Sequence, residues 1–232
     1  MAPTSAVVLL SGGLDSSTCL AIALSKGRVV HALTVDYGQR HRKEIEAAKK
    51  VGKRLGVKDH QVLTVDLSPI GGSALTSKAF TVPERRSTKE MARDIPVTYV
   101  PARNTILLGL ALAAAEAKDA DEIYIAANAI DFSGYPDCRP EFYEAFREVA
   151  RLGTKRGVEG RPIRIHTPLI RMTKADIVMT GAKLGVPFEL TWSCYHGRAK
   201  ACGVCDSCQL RLKGFREAGL DDPIPYEHPP KR

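Results

Sequence analysis

Short apolar runs alternate along this chain with amphipathic stretches, in an order that predicts strand, helix, strand, helix. Val7-Val8-Leu9-Leu10 places four apolar residues in a row, the pattern of a strand covered on both faces. Ser11-Gly12-Gly13 then turns the chain, and Asp15, Ser16 and Ser17 open a helix to Ser25 with Leu20, Ala21 and Leu24 on one face. Residues 29–35 predict a second strand, 43–55 a helix stopped at Gly56, and 62–65 a third strand. Beyond the aperiodic stretch 68–98 come an apolar helix over 105–117, a buried strand over 123–127 and a helix over 140–152. An edge strand over 163–167, a helix over 173–184 and a last helix ending near Ala218 complete the pattern. Such alternation implies right-handed crossovers, hence an α/β fold with a doubly wound parallel sheet. Ligands of such sheets lie beyond the carboxyl ends of the strands.

The polar residues at those ends are the candidates for chemistry. A strand, a glycine turn and a helix start make an anion site, because free N–H groups and the positive helix end converge there. A Walker A loop is excluded, since no lysine follows the glycines, and so is the G-x-G-x-x-G dinucleotide fingerprint. Asp36, Tyr37, Gly38 and Gln39 either frame a ligand or form an ordinary polar turn. The 68–98 stretch is long enough to be a lid over the site. Arg103 stands just before a predicted helix, where a guanidinium suits a phosphate or carboxylate, and Asn104 is a natural N-cap. The loop over 128–142 carries Phe132 and Tyr135, able to stack on a ring. Its Asp131, Asp137 and Glu141 can accept N–H bonds, and Arg139 can pair with a carboxylate. The alternative reading makes Asp137 and Pro140 simple helix-starting residues. Lys174 lies in a capping-box start, unfavourable with the dipole unless an anion compensates.

Composition narrows the picture. The 232 residues are 44% hydrophobic and 26% charged, ordinary for a globular chain with one sizeable core. No apolar run is long enough to cross a membrane, and the N-terminus lacks a signal-peptide pattern, so a cytoplasmic protein is expected. The net charge of +8 suits an anionic partner, but the basic residues are dispersed among acidic ones. Cys194, Cys202, Cys205 and Cys208 form C-x7-C-x2-C-x2-C. In a cytosolic chain that spacing favours a closed tetrahedral zinc site over disulfides. An iron–sulfur run would add C-x3-C-P, which is absent. The 221–232 tail is proline-rich and expected to be loosely held.

The run Ser11-Gly12-Gly13-Leu14-Asp15-Ser16 resembles the S-G-G-x-D-S pyrophosphate loop of N-type ATP pyrophosphatases. With Asp36-Tyr37-Gly38-Gln39-Arg40-His41, Pro101 to Asn104, Ser133 to Glu141, Thr173 to Asp176 and the cysteine spacing, the chain resembles the 7-cyano-7-deazaguanine synthases of queuosine biosynthesis. That resemblance implies an adenine nucleotide alpha hydrolase-like domain over 1–190, followed by a zinc-binding segment and tail over 191–232. It implies conversion of 7-carboxy-7-deazaguanine and ammonia to the nitrile, through adenylated and amide intermediates. ATP with Mg2+ would be held by Leu10, Ser11, Gly12, Gly13, Leu14, Asp15, Ser16, Ser17 and Thr18. Asp15, Arg103 and Lys174 would be catalytic, and Asp131, Tyr135, Asp137, Arg139 and Glu141 would bind the deazaguanine. One structural zinc per chain, a homodimer and no nucleic-acid partner complete the expectation. The competing readings are a tRNA-thiolating or lysidine-type enzyme with the same loop, and a nucleotide-binding module without chemistry.

Overall fold

The apolar runs form five parallel strands: β1 (Ser5–Leu9), β2 (Val29–Asp36), β3 (Asp59–Thr64), β4 (Glu122–Tyr124) and β5 (Arg164–His166). This computed structural model describes residues 3–91, 93–130 and 135–229. Sheet order is β3-β2-β1-β4-β5, with Val7 of β1 opposite His31 of β2 and Ile123 of β4. The chain winds outward from β1 to β3, then restarts at β4 on the other side of β1. The crevice of such a sheet opens where the winding reverses, between the carboxyl ends of β1 and β4.

Eight α-helices occur among the described residues: α1 (Leu14–Ser25), α2 (Lys43–Arg54), α3 (Thr88–Met91), α4 (Arg103–Ala117), α5 (Pro140–Gly153), α6 (Lys155–Val158), α7 (Lys174–Lys183) and α8 (Asp206–Glu217). The period of two in β1 decides which helices it meets. Val7 and Leu9 pack with Leu108 of α4 and Tyr143 and Phe146 of α5. Ala6, Val8 and Leu10 pack with Leu20 of α1, Val51 of α2, Ile177 of α7 and Phe215 of α8. No described helix is long and apolar enough to cross a membrane.

Glu122 opens β4 only 2% exposed, an expensive place for a charge. Arg28 Nε reaches it at 2.7 Å, Arg164 at 2.9 Å and the Tyr124 hydroxyl at 3.1 Å. Burial alone would raise its pKa, but these donors win and hold it down to about 2. A depressed carboxyl stabilises the fold above its unfolded pKa and loses that contribution as pH falls through the folded value. Denaturant titrations are therefore expected to show stability falling between about pH 4.5 and pH 2. Glu122→Gln should lessen that fall, to which the depressed Asp59 and Asp121 also contribute, and cost about 2 kcal/mol at pH 7.

Three expectations are corrected. Helix α4 starts at Arg103, not 105, behind Ala102 in a left-handed turn (φ 52°), so Asn104 is not its N-cap. Instead the Asn104 amide donates to Asp137 Oδ2 at 3.0 Å, and its Nδ2 donates to the Asp137 carbonyl. Strand β4 stops at Tyr124 rather than 127, because the following residues line the crevice. The described part of the tail, 221–229, is pinned rather than loose: Asp222 accepts from Arg211 at 2.6 Å and from Tyr226 at 2.7 Å, and Ile224 is buried; residues 230–232 lie outside the described residues.

The 68–98 stretch packs as a wall. Ala74 and Val82 lie in one apolar cluster with the four cysteines, and the Arg85 amide donates to the Val204 carbonyl at 2.8 Å. An aromatic contact crosses the boundary expected after residue 190, and a hydrogen bond lies just beyond it. Phe188 meets Phe215 edge-on at 5.2 Å, and Arg211 donates to Thr191 Oγ1 at 2.7 Å.

Candidate active site and cysteine cluster

The turn after β1 is built for close approach. Gly12 has φ 83°, and a Cβ there would lie 2.3 Å from the Glu44 carbonyl oxygen and 2.4 Å from the Ala48 amide. Only glycine lets the loop lie against α2 in this way. Ser11 and Ser16 hydroxyls are 3.0 Å apart, and Ser17 Oγ donates to the Gly13 carbonyl at 2.8 Å. No side chain caps α1, so its first-turn N–H groups stay available to an anion.

Beyond this turn lies a cavity of about 310 Å3 between the ends of β1, β2 and β4. Of the residues expected to hold ATP, Leu10, Ser11, Gly13, Leu14, Asp15 and Ser16 line it. Gly12 forms the back of the turn, Ser17 is buried behind it, and Thr18 is turned inward, donating to the Leu14 carbonyl at 3.0 Å.

The three residues expected to be catalytic converge on the same space. Asp15, Arg103 and Lys174 all line the cavity. Lys174 Nζ contacts both Asp15 oxygens, at 2.9 and 2.8 Å, so the anion that offsets its place at a helix start is the loop carboxylate. Thr173 and Asp176 complete the capping box behind it. Arg103 donates to the Tyr37 hydroxyl at 3.4 Å and lies 5.6 Å over its ring. Burial opposes its charge, but the surrounding phenols Tyr37 and Tyr135 more than compensate and keep it firmly protonated.

Deazaguanine-binding expectations divide. Tyr135 lines the cavity, its hydroxyl 3.0 Å from Thr98 Oγ1 and its ring 5.5 Å from Tyr99. Asp137, Arg139 and Glu141 line a separate shallow hollow beside Tyr99 and Phe142. Asp137 is occupied with Asn104, and Arg139 donates to the Pro136 carbonyl at 3.1 Å. Asp131 lies outside the described residues. Cys138 borders the cavity beneath Asn104; burial first, then Asp137, push its thiol up to about 11, so it stays protonated at neutral pH.

The Asp36–His41 turn takes both of its alternative roles. Tyr37 faces the cavity, while Gln39 Oε1 accepts the Tyr37 amide at 2.8 Å and His41 Nε2 meets the Cys194 carbonyl at 2.9 Å. Among the cavity residues missed in the sequence is Glu44, on the first turn of α2. It lines the cavity, and Arg103 acts on it through space rather than through an ion pair. Burial pushes it up to about 7, against the pull of Arg103. No local signal marked it, because the close approach of Gly12 that brings the start of α2 to the site appears only in the fold.

The four cysteines form a second centre. Their Sγ atoms all lie within 4.8 Å of one another, and all four residues are buried. Tetrahedral thiolates around a metal at about 2.3 Å would stand about 3.8 Å apart, and Cys202 Sγ is 3.9 Å from Cys208 Sγ. Backbone amides already aim at the sulfurs: Cys202 at Cys194 Sγ (3.3 Å), Val204 and Cys205 at Cys202 Sγ (3.4 and 3.3 Å). Hydrogen bonds from the Cys205 and Cys208 thiols hold Cys194 far below an ordinary thiol. Four buried sulfurs so arranged can hold one metal ion.

Helix α8 couples the two centres. Cys205 is its N-cap and Cys208 lies in its first turn. Gly214 lies against Lys174, and a Cβ there would stand 2.4 Å from Lys174 Cγ and 3.1 Å from its carbonyl carbon. Gly214→Ala is expected to cost about 1–2 kcal/mol by overpacking. Moving the Lys174 ammonium should lower kcat about tenfold, read from steady-state kinetics beside a denaturation curve.

A doubly wound parallel sheet with this glycine turn at its switch point defines an α/β nucleotide-binding protein of the PP-loop class. Residues 5–219 match the family described as queuosine biosynthesis protein QueC, and the chain belongs to that family. The 7-cyano-7-deazaguanine synthase of Anaeromyxobacter sp. (strain Fw109-5) is 60% identical over 222 residues, covering 95% of each chain. That of Nostoc punctiforme is 58% identical over 221 residues, covering 95% of this chain and 99% of its own. Among solved structures, NMN synthetase from Francisella tularensis is similar with TM-score 0.48 and 15% identity, over 94% of this chain and 78% of that chain.

Proposed function

We propose that this chain is an ATP-dependent carbon–nitrogen ligase that converts 7-carboxy-7-deazaguanine and ammonia to 7-cyano-7-deazaguanine. The observation that carries this reading is the meeting of the Ser11–Ser17 turn, the Lys174–Asp15 pair and Arg103 around one cavity. Family membership and the names of the relatives support the choice of substrate.

The carboxylate oxygen attacks the α-phosphorus of ATP and pyrophosphate leaves into the α1 N-terminus. Open N–H groups there favour the growing charge. Lys174 sits beside that charge, and Arg103 orients the substrate carboxylate. Ammonia displaces AMP to give the amide. Adenylation of the amide oxygen, then loss of AMP and a proton, leaves the nitrile. Tyr135 and Tyr37 offer faces for the deazaguanine ring. Mg2+ accompanying ATP would be held by Asp15, and would offset phosphate charge. Zinc suits Cys194, Cys202, Cys205 and Cys208; with four protein ligands it has no open position and acts as a brace. We assign no nucleic-acid substrate, and take the working form as a cytoplasmic homodimer. The 191–232 stretch is a brace on the 1–190 domain rather than an independent unit.

Mass spectrometry of a reaction containing ATP, Mg2+, ammonium and 7-carboxy-7-deazaguanine, without RNA, tests this reading. The nitrile should accumulate with AMP, preceded by the amide. AMP formed only when tRNA replaces the acid would overturn it.

A further inference from the structure

The proposed reaction needs ammonia, yet at neutral pH the nitrogen arrives as ammonium, which has no lone pair to attack with. A cavity group that holds that cation and takes its first proton would supply the nucleophile in place. Most candidates are committed or unsuited. Asp15 is paired with Lys174, and Arg211 with Asp222. The Tyr37 and Tyr135 phenols and the Cys138 thiol are all held protonated by burial. No histidine is among the residues lining the cavity.

Glu44 remains. It lines the cavity with Arg103, which acts on it through space without an ion pair. Arg103 is left for the substrate anion, and it pulls on Glu44 only at a distance, with no ion pair between the two. The Gly12 turn fixes the first turn of α2 directly behind the phosphate loop, so the carboxylate stands beside the place of activation.

We propose that Glu44 receives the ammonium ion and takes its first proton, delivering ammonia to the adenylated carboxyl. The proton passes from ammonium to a Glu44 oxygen. The freed lone pair forms the C–N bond at the acyl carbon, and the C–O bond to AMP breaks with its electron pair. A second proton leaves the nitrogen for the departing phosphate, and Glu44 returns its own proton to water. This assignment rests on the synthase reading above, and the test separates the two.

Acid-dependent exchange of pyrophosphate into ATP reports the first adenylation and needs no ammonium. Its absence from the wild-type protein would sink the synthase reading, and this assignment with it. Given exchange, Glu44→Gln should keep the KM for the acid while the KM for ammonium rises roughly tenfold or more. Hydroxylamine, uncharged at neutral pH, should serve the variant as well as it serves the wild type. Glu44→Asp, which keeps the charge, should recover part of the ammonium use. An unchanged ammonium KM, or equal loss with both nucleophiles, overturns the assignment. So does a loss confined to the KM for the acid, which would make Glu44 a reader of the deazaguanine edge.

Discussion

Lys174→Met is expected to lower kcat by about 10²–10³-fold, the loss typical when a positioned charge is removed from a transition state. The side chains have similar length, and only 13% of the lysine side chain is exposed, so packing should survive. Two effects add. The ammonium beside the phosphate loop disappears, and Asp15 is left as an uncompensated carboxylate where polyphosphate must bind. KM for ATP should therefore rise together with the fall in kcat. Lys174→Arg should not rescue, because the lysine lies under the backbone of α8 at Gly214, where a Cβ would come within 2.4 Å of its Cγ. A fork-shaped head on that stem has no room to reach Asp15 in the same way. Single-turnover AMP formation and a thermal melt check the prediction. A loss below about tenfold with an unchanged melt would mean that Lys174 only neutralises Asp15.

Legibility in the sequence followed contiguity. The phosphate turn sits on six successive residues, each needed for its own backbone or hydroxyl role, so strand, turn and helix start could be read directly. The cysteine ligands lie within 15 residues of one another, and their spacing carried the tetrahedral site. Alternation of strand and helix was enough for a parallel sheet, though strand ends drifted where residues leave the ladder to line the cavity. Contacts between distant segments were not readable. Asp137 could be read either as a ligand or as a helix-starting residue, and the contact it makes, with Asn104, lies 33 positions away in sequence. Glu44 was not singled out, because nothing local shows that Gly12 draws α2 onto the site. The tail looked free, since the partner of Asp222 is a buried arginine inside α8. Hydrophobic period and turn chemistry are local signals, whereas these three placements depend on tertiary packing.

Metal removal, or Cys208→Ser, is expected to destabilise the chain by at least about 4 kcal/mol and to abolish turnover. Thiolate zinc sites in isolated peptides bind with about 10–16 kcal/mol. The observable cost here is smaller because α8 has other anchors: Phe215 is buried in the core and Arg211 pairs with Asp222 at 2.6 Å. Those anchors hold the carboxyl-terminal half of α8. Its start depends on Cys205 and Cys208, and the loop before it on Cys194 and Cys202. Without the metal, four buried sulfurs lose their shared partner, and the wall formed by Ala74 and Val82 loses its apolar support. Activity should fall before global unfolding, because α8 presses on Lys174 through Gly214. Elemental analysis should give one zinc per chain in active protein. Protein dialysed against a strong chelator should lose turnover while its far-ultraviolet circular dichroism persists, and zinc alone should restore it. Cys19→Ala, at a buried thiol of α1 outside the cluster, should leave metal content unchanged. If metal-free protein keeps full turnover and the same denaturation midpoint, the cluster is neither the brace of α8 nor a support for Lys174.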